Sequence, residues 1–100
     1  MYKLLCFAPD GEFITERDPD NEDGLFKTVD DVWDAAANLG SKWYFYPLCF
    51  AADENNRIVE APDALQWELN GVIDAGQLTA YHLADWLERH QEKVIRILEA

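Results

Sequence analysis

The chain has 100 residues, of which 20 are Asp or Glu and 8 are Lys or Arg, so its formal net charge is −12 at pH 7. Apolar residues make up 49% of the sequence, which argues against intrinsic disorder and predicts a single globular domain over residues 1–100. So negative a surface repels nucleic-acid phosphates and anionic lipid headgroups, and we expect neither direct nucleic-acid binding nor membrane attachment. It attracts cations or basic protein surfaces instead, although the same charge is also explained by solubility alone.

Targeting signals and cysteine usage point to a cytoplasmic protein. Met1–Phe7 is a short apolar run with one Lys, but it lacks the length and the small-residue cleavage site of a signal peptide. No stretch approaches the length of a membrane span. Cys6 and Cys49 are too few for a disulfide framework, and both lie in apolar runs where cysteine is usually a small buried hydrophobe. We expect reduced thiols, with a disulfide as an alternative if the two strands are neighbours.

The first half of the chain predicts a hairpin, a loop and a helix. Apolar segments at 2–8 and 12–15 flank a Pro-Asp-Gly turn, which is typical of two paired strands. Residues 16–24 are polar and aperiodic, so we expect an exposed loop. Thr28 is a good N-cap, and apolar residues at helical spacing predict a helix over Val29–Leu39.

The second half predicts two further strands and a long helix. Residues 42–52 form the main predicted strand, apolar and aromatic on both faces and interrupted by Pro47, and residues 57–60 form a short returning strand. A weak helical turn at Ala64–Leu69 precedes a long helix over Thr79–Glu99. The predicted fold class is α+β: an antiparallel sheet of about four strands with the two long helices packed on one face, in the order β-β-α-β-β-α. The predicted core comprises Leu4, Phe7, Phe13, Val32, Trp33, Ala36, Phe45, Leu83, Leu87 and Val94.

An acidic segment is the most distinctive feature of the sequence. Residues 10–34 contain ten acids but only two bases, and the acidic loop at 16–23 leads towards the polar face of the first helix. Carboxylates spaced along a helix can imitate duplex phosphates and occupy a basic surface that normally binds nucleic acid. The alternative is a solvated loop and a solvated helix face. The carboxylates predicted to contact a partner are Asp18, Asp20, Glu22, Asp23, Asp30, Asp31 and Asp34.

The aromatic strand at 43–50 is a second candidate surface. If the sheet is a single layer with helices on one side, Tyr44 and Tyr46 share the uncovered face. An exposed tyrosine-rich face suits a protein interface, with a partner or in a homodimer, because each ring offers a large contact area and a hydroxyl. The alternative is a strand buried on both faces.

The sequence contains no recognisable catalytic or cofactor-binding constellation. The acids at 18–22 are spaced like the start of a calcium loop, but the Gly and Glu that such a loop requires further on are missing. His82 and His90 have no partner at metal-ligand spacing, and no local motif supports Cys49 with either histidine as nucleophile and base. We expect a non-enzymatic protein without cofactor or metal, with a small enzyme of unknown reaction as the minor alternative.

One segment carries a resemblance to known proteins. It spans residues 28–50, Thr-Val-Asp-Asp-Val-Trp-Asp-Ala-Ala-Ala-Asn-Leu-Gly-Ser-Lys-Trp-Tyr-Phe-Tyr-Pro-Leu-Cys-Phe. This segment resembles short uncharacterised accessory proteins of bacterial phages, plasmids and integrated elements. In size and charge the chain is also similar to anti-restriction and anti-CRISPR proteins. The resemblance implies an inhibitor or regulator of a nucleic-acid-processing complex and assigns no site residue.

The sequence therefore supports two main functions. The first is an acidic binding protein that docks on the basic surface of a protein partner and inhibits or regulates a nucleic-acid-processing complex. The second is an interaction or assembly module that uses the aromatic strand, in which case the charge serves solubility.

Overall fold

A computed structural model describes residues 1–40 and 42–99; for Lys42, Trp43, Asn70 and Asp74 it describes the backbone only. Within these residues the strands are β1 (Tyr2–Phe7), β2 (Phe13–Glu16), β3 (Leu48–Asp53) and β4 (Ile58–Glu60). The helices are α1 (Val29–Ala37), α2 (Lys42–Phe45), α3 (Asp63–Asp74), α4 (Ala80–Arg89) and α5 (Gln91–Glu99).

The four strands form one antiparallel sheet in the order β2-β1-β3-β4. The central strands β1 and β3 pair along their whole length, from Tyr2 opposite Asp53 to Phe7 opposite Leu48. β2 joins β1 through the predicted hairpin, and β4 returns beside β3. The predicted α+β class with an antiparallel sheet of about four strands is confirmed.

The helices cover both faces of this sheet. On one face Leu5, Phe7 and Phe50 belong to a core that includes buried residues of α3, α4 and α5. On the other face Leu4 and Cys49 pack with residues of α1. The prediction that both long helices share one face therefore needs correction. Both central strands carry apolar side chains on both faces of the sheet. Helices must therefore cover each face to remove these side chains from water.

The aromatic strand is shorter than predicted. Residues 42–45 form the helical turn α2, and the strand begins only at Leu48, after Pro47. A proline cannot donate to a strand ladder and restricts the residue before it, so the extended pairing begins beyond it. Phe45, predicted to be in the core, is 71% exposed, and that prediction is wrong. Most of the other predicted core residues are fully buried: Leu4, Phe7, Val32, Leu83, Leu87 and Val94. Phe13, Trp33 and Ala36 are partly buried against the two cores.

The predicted C-terminal helix is divided into α4 and α5. α4 begins after Thr79, whose Oγ1 accepts a hydrogen bond of 3.3 Å from the backbone N–H of His82, as expected of an N-cap. The backbone leaves the helical conformation at His90, with φ −114° and ψ 25°. The Nδ1 of His90 lies 2.8 Å from the carbonyl oxygen of Trp86, and the two rings stack. The same carbonyl accepts from the backbone N–H of His90 at 3.0 Å, so both the ring and the backbone of His90 contact the last turn of α4 where the helix ends.

α3 is longer than the predicted turn, which the sequence ends near Gly71. Leu65, Leu69 and Ile73 recur at every fourth position and are all buried in the core. Their packing outweighs the cost of about 1 kcal/mol that a glycine imposes within a helix. Across the described residues, no helix combines the length and apolar character needed to cross a membrane.

Candidate protein-binding site

The first helix presents an acidic outer face. Thr28 caps α1, since its Oγ1 accepts a hydrogen bond of 3.1 Å from the backbone N–H of Asp31. Asp30 and Asp31 lie in the first turn, where the helix dipole favours negative charge. Val32 faces the core and is fully buried, whereas Asp30, Asp31 and Asp34 lie on the outer side of the helix. The amphipathic pattern of α1 therefore directs these carboxylates away from the core.

Because β2 includes Glu16, the acidic loop spans residues 17–24 in the structure, where its own hydrogen bonds shape it. Asp18 Oδ1 accepts from the backbone N–H of Asp20 at 2.9 Å, and Asp18 Oδ2 accepts from Asn21 Nδ2 at 3.0 Å. The same Asn21 amide donates to the carbonyl of Leu25 at 2.8 Å. Asp18 thus holds the loop in its conformation, while Asp20 is exposed.

The far end of the loop is also locally bonded. Asp23 Oδ1 accepts from the backbone N–H of Leu25 at 3.0 Å, and Arg17 Nη2 donates to the carbonyl of Glu22 at 3.4 Å. Gly24 adopts φ +73°, and a Cβ there would lie 2.5 Å from Arg17 Nε. Asp23 therefore serves the loop conformation, and Glu22 is exposed.

The loop and α1 enclose a groove of about 450 Å³. Its lining includes four acidic residues, Asp18, Asp20, Asp31 and Asp34. Lys27 is the one base among the lining residues, and further residues of the lining are Pro19, Asn21, Phe26, Ala35 and Asn38. Four acids around one concave surface focus a negative potential on it. We call this feature the acidic groove.

Four of the predicted carboxylates thus meet at the acidic groove. The other three, Glu22, Asp23 and Asp30, do not line it. They differ from the lining acids in position, since Glu22 and Asp23 belong to the far end of the loop and Asp30 lies elsewhere on α1. Ala35 adds partly exposed apolar surface to the groove, whereas Phe26 is only 4% exposed and belongs to the core; the sequence pattern carried no signal for either.

The two predicted tyrosines occupy different environments. Tyr44 lies on α2 and is 81% exposed, next to the exposed Phe45. Tyr46 is partly buried against the core on the α1 side, and its hydroxyl donates to Glu12 Oε1 at 3.2 Å. Burial raises the pKa of Tyr46, and the negative charge of Glu12 raises it further. Because α2 replaces the expected strand, the exposed ring surface consists of Tyr44 and Phe45 rather than Tyr44 and Tyr46. The side chain of Trp43 lies outside the described part of the chain.

The histidines lie away from the acidic groove. His82 and His90 line a separate groove of about 470 Å³ between α3 and α4, with Trp86 among its apolar residues. The carboxylates of this second groove have cationic partners, since Asp85 pairs with Arg89 and Glu68 with Lys93. Cys49 belongs to the core on the α1 side, whereas α4 packs on the opposite face. The fold therefore places the two histidines and Cys49 on different sides of the sheet.

Within the described residues, no group of three or more His, Cys, Asp or Glu is arranged to hold a metal ion. Comparison of the chain with protein-family models, curated proteins and solved structures yields no match. The acidic groove and the exposed rings of α2 are the two features on which we base a function.

Proposed function

We propose that the chain is a non-enzymatic binding protein whose acidic groove docks on a basic surface of a protein partner. The observation that carries this proposal is that four acidic residues from two separate elements line one groove. Asp18 and Asp20 come from the loop, Asp31 and Asp34 come from α1, and Lys27 is the one base beside them. Their combined potential attracts Arg and Lys side chains and opposes the approach of nucleic acid.

The chemistry of the groove favours a protein over a small cation. Pro19 and Ala35 contribute accessible apolar surface to the groove, and protein interfaces combine an apolar centre with a polar rim. The apolar part of an arginine or lysine side chain can contact such a surface while its charged end reaches a carboxylate. A basic segment of a protein therefore matches both components of the lining.

The class of partner follows from what basic protein surfaces usually bind. Surfaces rich in Arg and Lys recognise nucleic-acid phosphates, so a protein that covers them competes with nucleic acid. We therefore propose an inhibitor or regulator of a nucleic-acid-processing complex, in agreement with the resemblance to accessory proteins of mobile elements. The two buried thiols, Cys6 and Cys49, are consistent with a cytoplasmic location.

The experiment compares two triple variants that change the net charge equally. The groove variant carries Asp20→Asn, Asp31→Asn and Asp34→Asn, which leaves the loop-shaping Asp18 in place. The control variant carries Glu88→Gln, Glu92→Gln and Glu99→Gln, three exposed acids on α4 and α5. Both variants and the wild-type chain are immobilised and exposed to a bacterial lysate, with and without competing duplex DNA. Captured proteins are identified by mass spectrometry.

The proposal expects a basic protein that the wild-type chain and the control variant retain and the groove variant loses. Duplex DNA should displace this protein, because both ligands use the same basic surface. Circular dichroism of the groove variant should match that of the wild-type chain. Equal capture by the two triple variants would show that the groove acids are not the binding site.

The exposed rings of α2 favour a second candidate function, an assembly module. Tyr44 and Phe45 are adjacent in sequence and 81% and 71% exposed, which is unusual for a pair of large aromatic side chains. If they form an interface, association should persist at high salt and be lost in Phe45→Glu. Sedimentation of the wild-type chain and of Phe45→Glu at high salt tests this. A wild-type chain that is monomeric at high concentration argues against a homodimer.

A further inference from the structure

Two cysteines face each other across the centre of the sheet. Cys6 on β1 is directly opposite Cys49 on β3. The backbone of Tyr2 exchanges hydrogen bonds with Phe26 in both directions, each 2.8 Å long, and Ala8 N donates to the carbonyl of Glu12 at 2.7 Å. Even-numbered residues of β1 thus direct their backbone groups away from β3. Cys6 and Cys49 are therefore a non-hydrogen-bonded pair of the β1–β3 ladder.

This type of pair has the separation that a disulfide requires. In a non-hydrogen-bonded antiparallel pair the Cα atoms are about 4.5 Å apart and the side chains approach closely. Disulfides span Cα separations of roughly 4.4–6.8 Å, so the two sulfurs can be joined without a change of register. The side chains of Cys6 and Cys49 are already in hydrogen-bond contact.

The surroundings of the pair distinguish the two sulfurs. Cys6 is completely buried, whereas Cys49 retains 7% exposure. Both belong to the apolar core between the sheet and α1, which includes Leu4 and Val32. The hydrogen bond from Cys6 lowers the pKa of Cys49, which favours its thiolate, although burial acts in the opposite direction.

We propose that Cys6 and Cys49 form a reversible disulfide site that a hydroperoxide oxidises in the folded protein. The Cys49 thiolate attacks one oxygen of hydrogen peroxide, the O–O bond breaks, and hydroxide leaves, which gives a sulfenic acid at Cys49. The Cys6 sulfur then attacks the Cys49 sulfur, the S–O bond breaks, and a second hydroxide leaves. The two thiol protons convert both hydroxides to water, and two electrons pass from the sulfurs to the peroxide. A dithiol reduces the disulfide back to two thiols by thiol–disulfide exchange and is itself oxidised to a disulfide.

The disulfide would join the two ends of the segment that forms the candidate binding surfaces. The acidic loop, α1 and α2 all lie between Cys6 and Cys49 in the sequence. A disulfide that closes so long a loop lowers the conformational entropy of the unfolded chain. Oxidation should therefore stabilise the folded protein, including this segment. In a reducing compartment such disulfides are usually transient and responsive to oxidants. This inference is independent of the partner proposed for the acidic groove.

The test uses the full wild-type chain, folded and near neutral pH, with hydrogen peroxide as the only oxidant. After acid quenching, the intact mass should fall by two hydrogen atoms, and protease digestion should yield one linked pair of peptides containing Cys6 and Cys49. The oxidised protein should keep the oligomeric state and the circular dichroism spectrum of the reduced protein and melt about 10 °C or more above it. Dithiothreitol should reverse all of these changes.

Four results would overturn the proposal. The first is that both thiols still react with a thiol reagent after peroxide treatment and unfolding, and the second is a disulfide that joins two chains. The third is loss of the native circular dichroism spectrum on oxidation, and the fourth is an oxidised protein that melts below the reduced one. The variants Cys6→Ala and Cys49→Ala test the separate roles. A sulfenic acid at Cys49 should accumulate and react with dimedone in Cys6→Ala, whereas Cys49→Ala should label more slowly. Equal labelling would contradict Cys49 as the attacking residue.

Discussion

Replacing Gly11 by Ala tests the contact between the β1–β2 turn and α4. Gly11 is buried and adopts φ +95°, a region that other residues rarely occupy. A Cβ at this position would lie 2.4 Å from the carbonyl oxygen of Ala84, within the backbone of α4. Because the obstructing atom belongs to a helix backbone, a side-chain rotation cannot relieve the overlap. Either the hairpin or α4 must move.

The cost of this substitution has two parts. The positive φ costs a residue with a Cβ about 1–2 kcal/mol. Displacing packed backbone adds about 1–3 kcal/mol, the usual range for an overpacked core. Gly11→Ala should therefore destabilise the fold by about 2–5 kcal/mol, a large part of the roughly 5–15 kcal/mol typical of a domain.

Two other glycines separate these contributions. Gly76 has φ +68°, and a Cβ added there would have no neighbour within 4 Å, so Gly76→Ala should cost only about 1–2 kcal/mol. Gly71 lies in the open within α3 without a positive φ, so Gly71→Ala should stabilise the fold by about 0.5–1 kcal/mol. Urea unfolding followed by tryptophan fluorescence gives all three values if the m-values agree. A Gly11→Ala that costs no more than Gly76→Ala would refute the close approach of the turn to α4.

Three further predictions concern single side chains. Thr28→Ala should destabilise the fold by about 1 kcal/mol in urea unfolding, because α1 loses its N-cap; an unchanged midpoint would contradict this role. Leu87→Ala should cost about 2–5 kcal/mol, because Leu87 is fully buried, whereas Leu98→Ala at a 38% exposed position should cost much less; equal costs in the same assay would contradict the assigned core. The pKa of Tyr46 is raised above 10.0 by burial and by Glu12, so the fold favours the neutral phenol. This contribution to stability is fully present below pH 10 and is lost as the pH rises past it, so the stability advantage of the wild-type chain over Tyr46→Phe should be constant below about pH 9 and shrink from about pH 10 to about pH 11. An advantage that grows over this range would reverse the assigned direction.

Local signals in the sequence predicted several elements well. Thr28 and Thr79 both begin helices as N-caps, because a hydroxyl at that position satisfies a backbone N–H that the helix itself leaves open. The hairpin around the Pro-Asp-Gly turn also forms as predicted. These features depend on neighbours within a few residues, which a sequence displays directly.

Features that depend on distant packing were harder to predict. The end of α4 at His90 coincides with a side-chain contact one turn back, and Gly71 remains helical because Leu69 and Ile73, two residues away on either side, are buried in the core. The placement of α1 on its own face of the sheet follows from the apolar pattern of both central strands. That pattern was visible in the sequence, and continuous apolar strands typically indicate burial on both sides.

The candidate site was predictable in composition but not in geometry. Asp31 and Asp34 could be assigned to the outer face of α1 from helical spacing alone. The loop acids had no such periodicity, and their roles separate only through individual hydrogen bonds. Asp18 and Asp23 bond to the loop itself, whereas Asp20 remains exposed beside the groove. A loop of mixed acids therefore indicates a charged surface without indicating which carboxylates converge.

The affinity of the captured partner at two salt concentrations tests the proposed role of the acidic groove most directly. The dissociation constant of the purified partner is measured for the wild-type chain and for the variant carrying Asp20→Asn, Asp31→Asn and Asp34→Asn. At about 0.1 M salt the variant should bind roughly 10-fold more weakly or worse, because each of the three lost charges contributes about 0.5 kcal/mol to binding. At about 0.5 M salt, where charges are screened, the difference should largely disappear. Equal affinities at low salt would contradict the proposal that these carboxylates bind the partner.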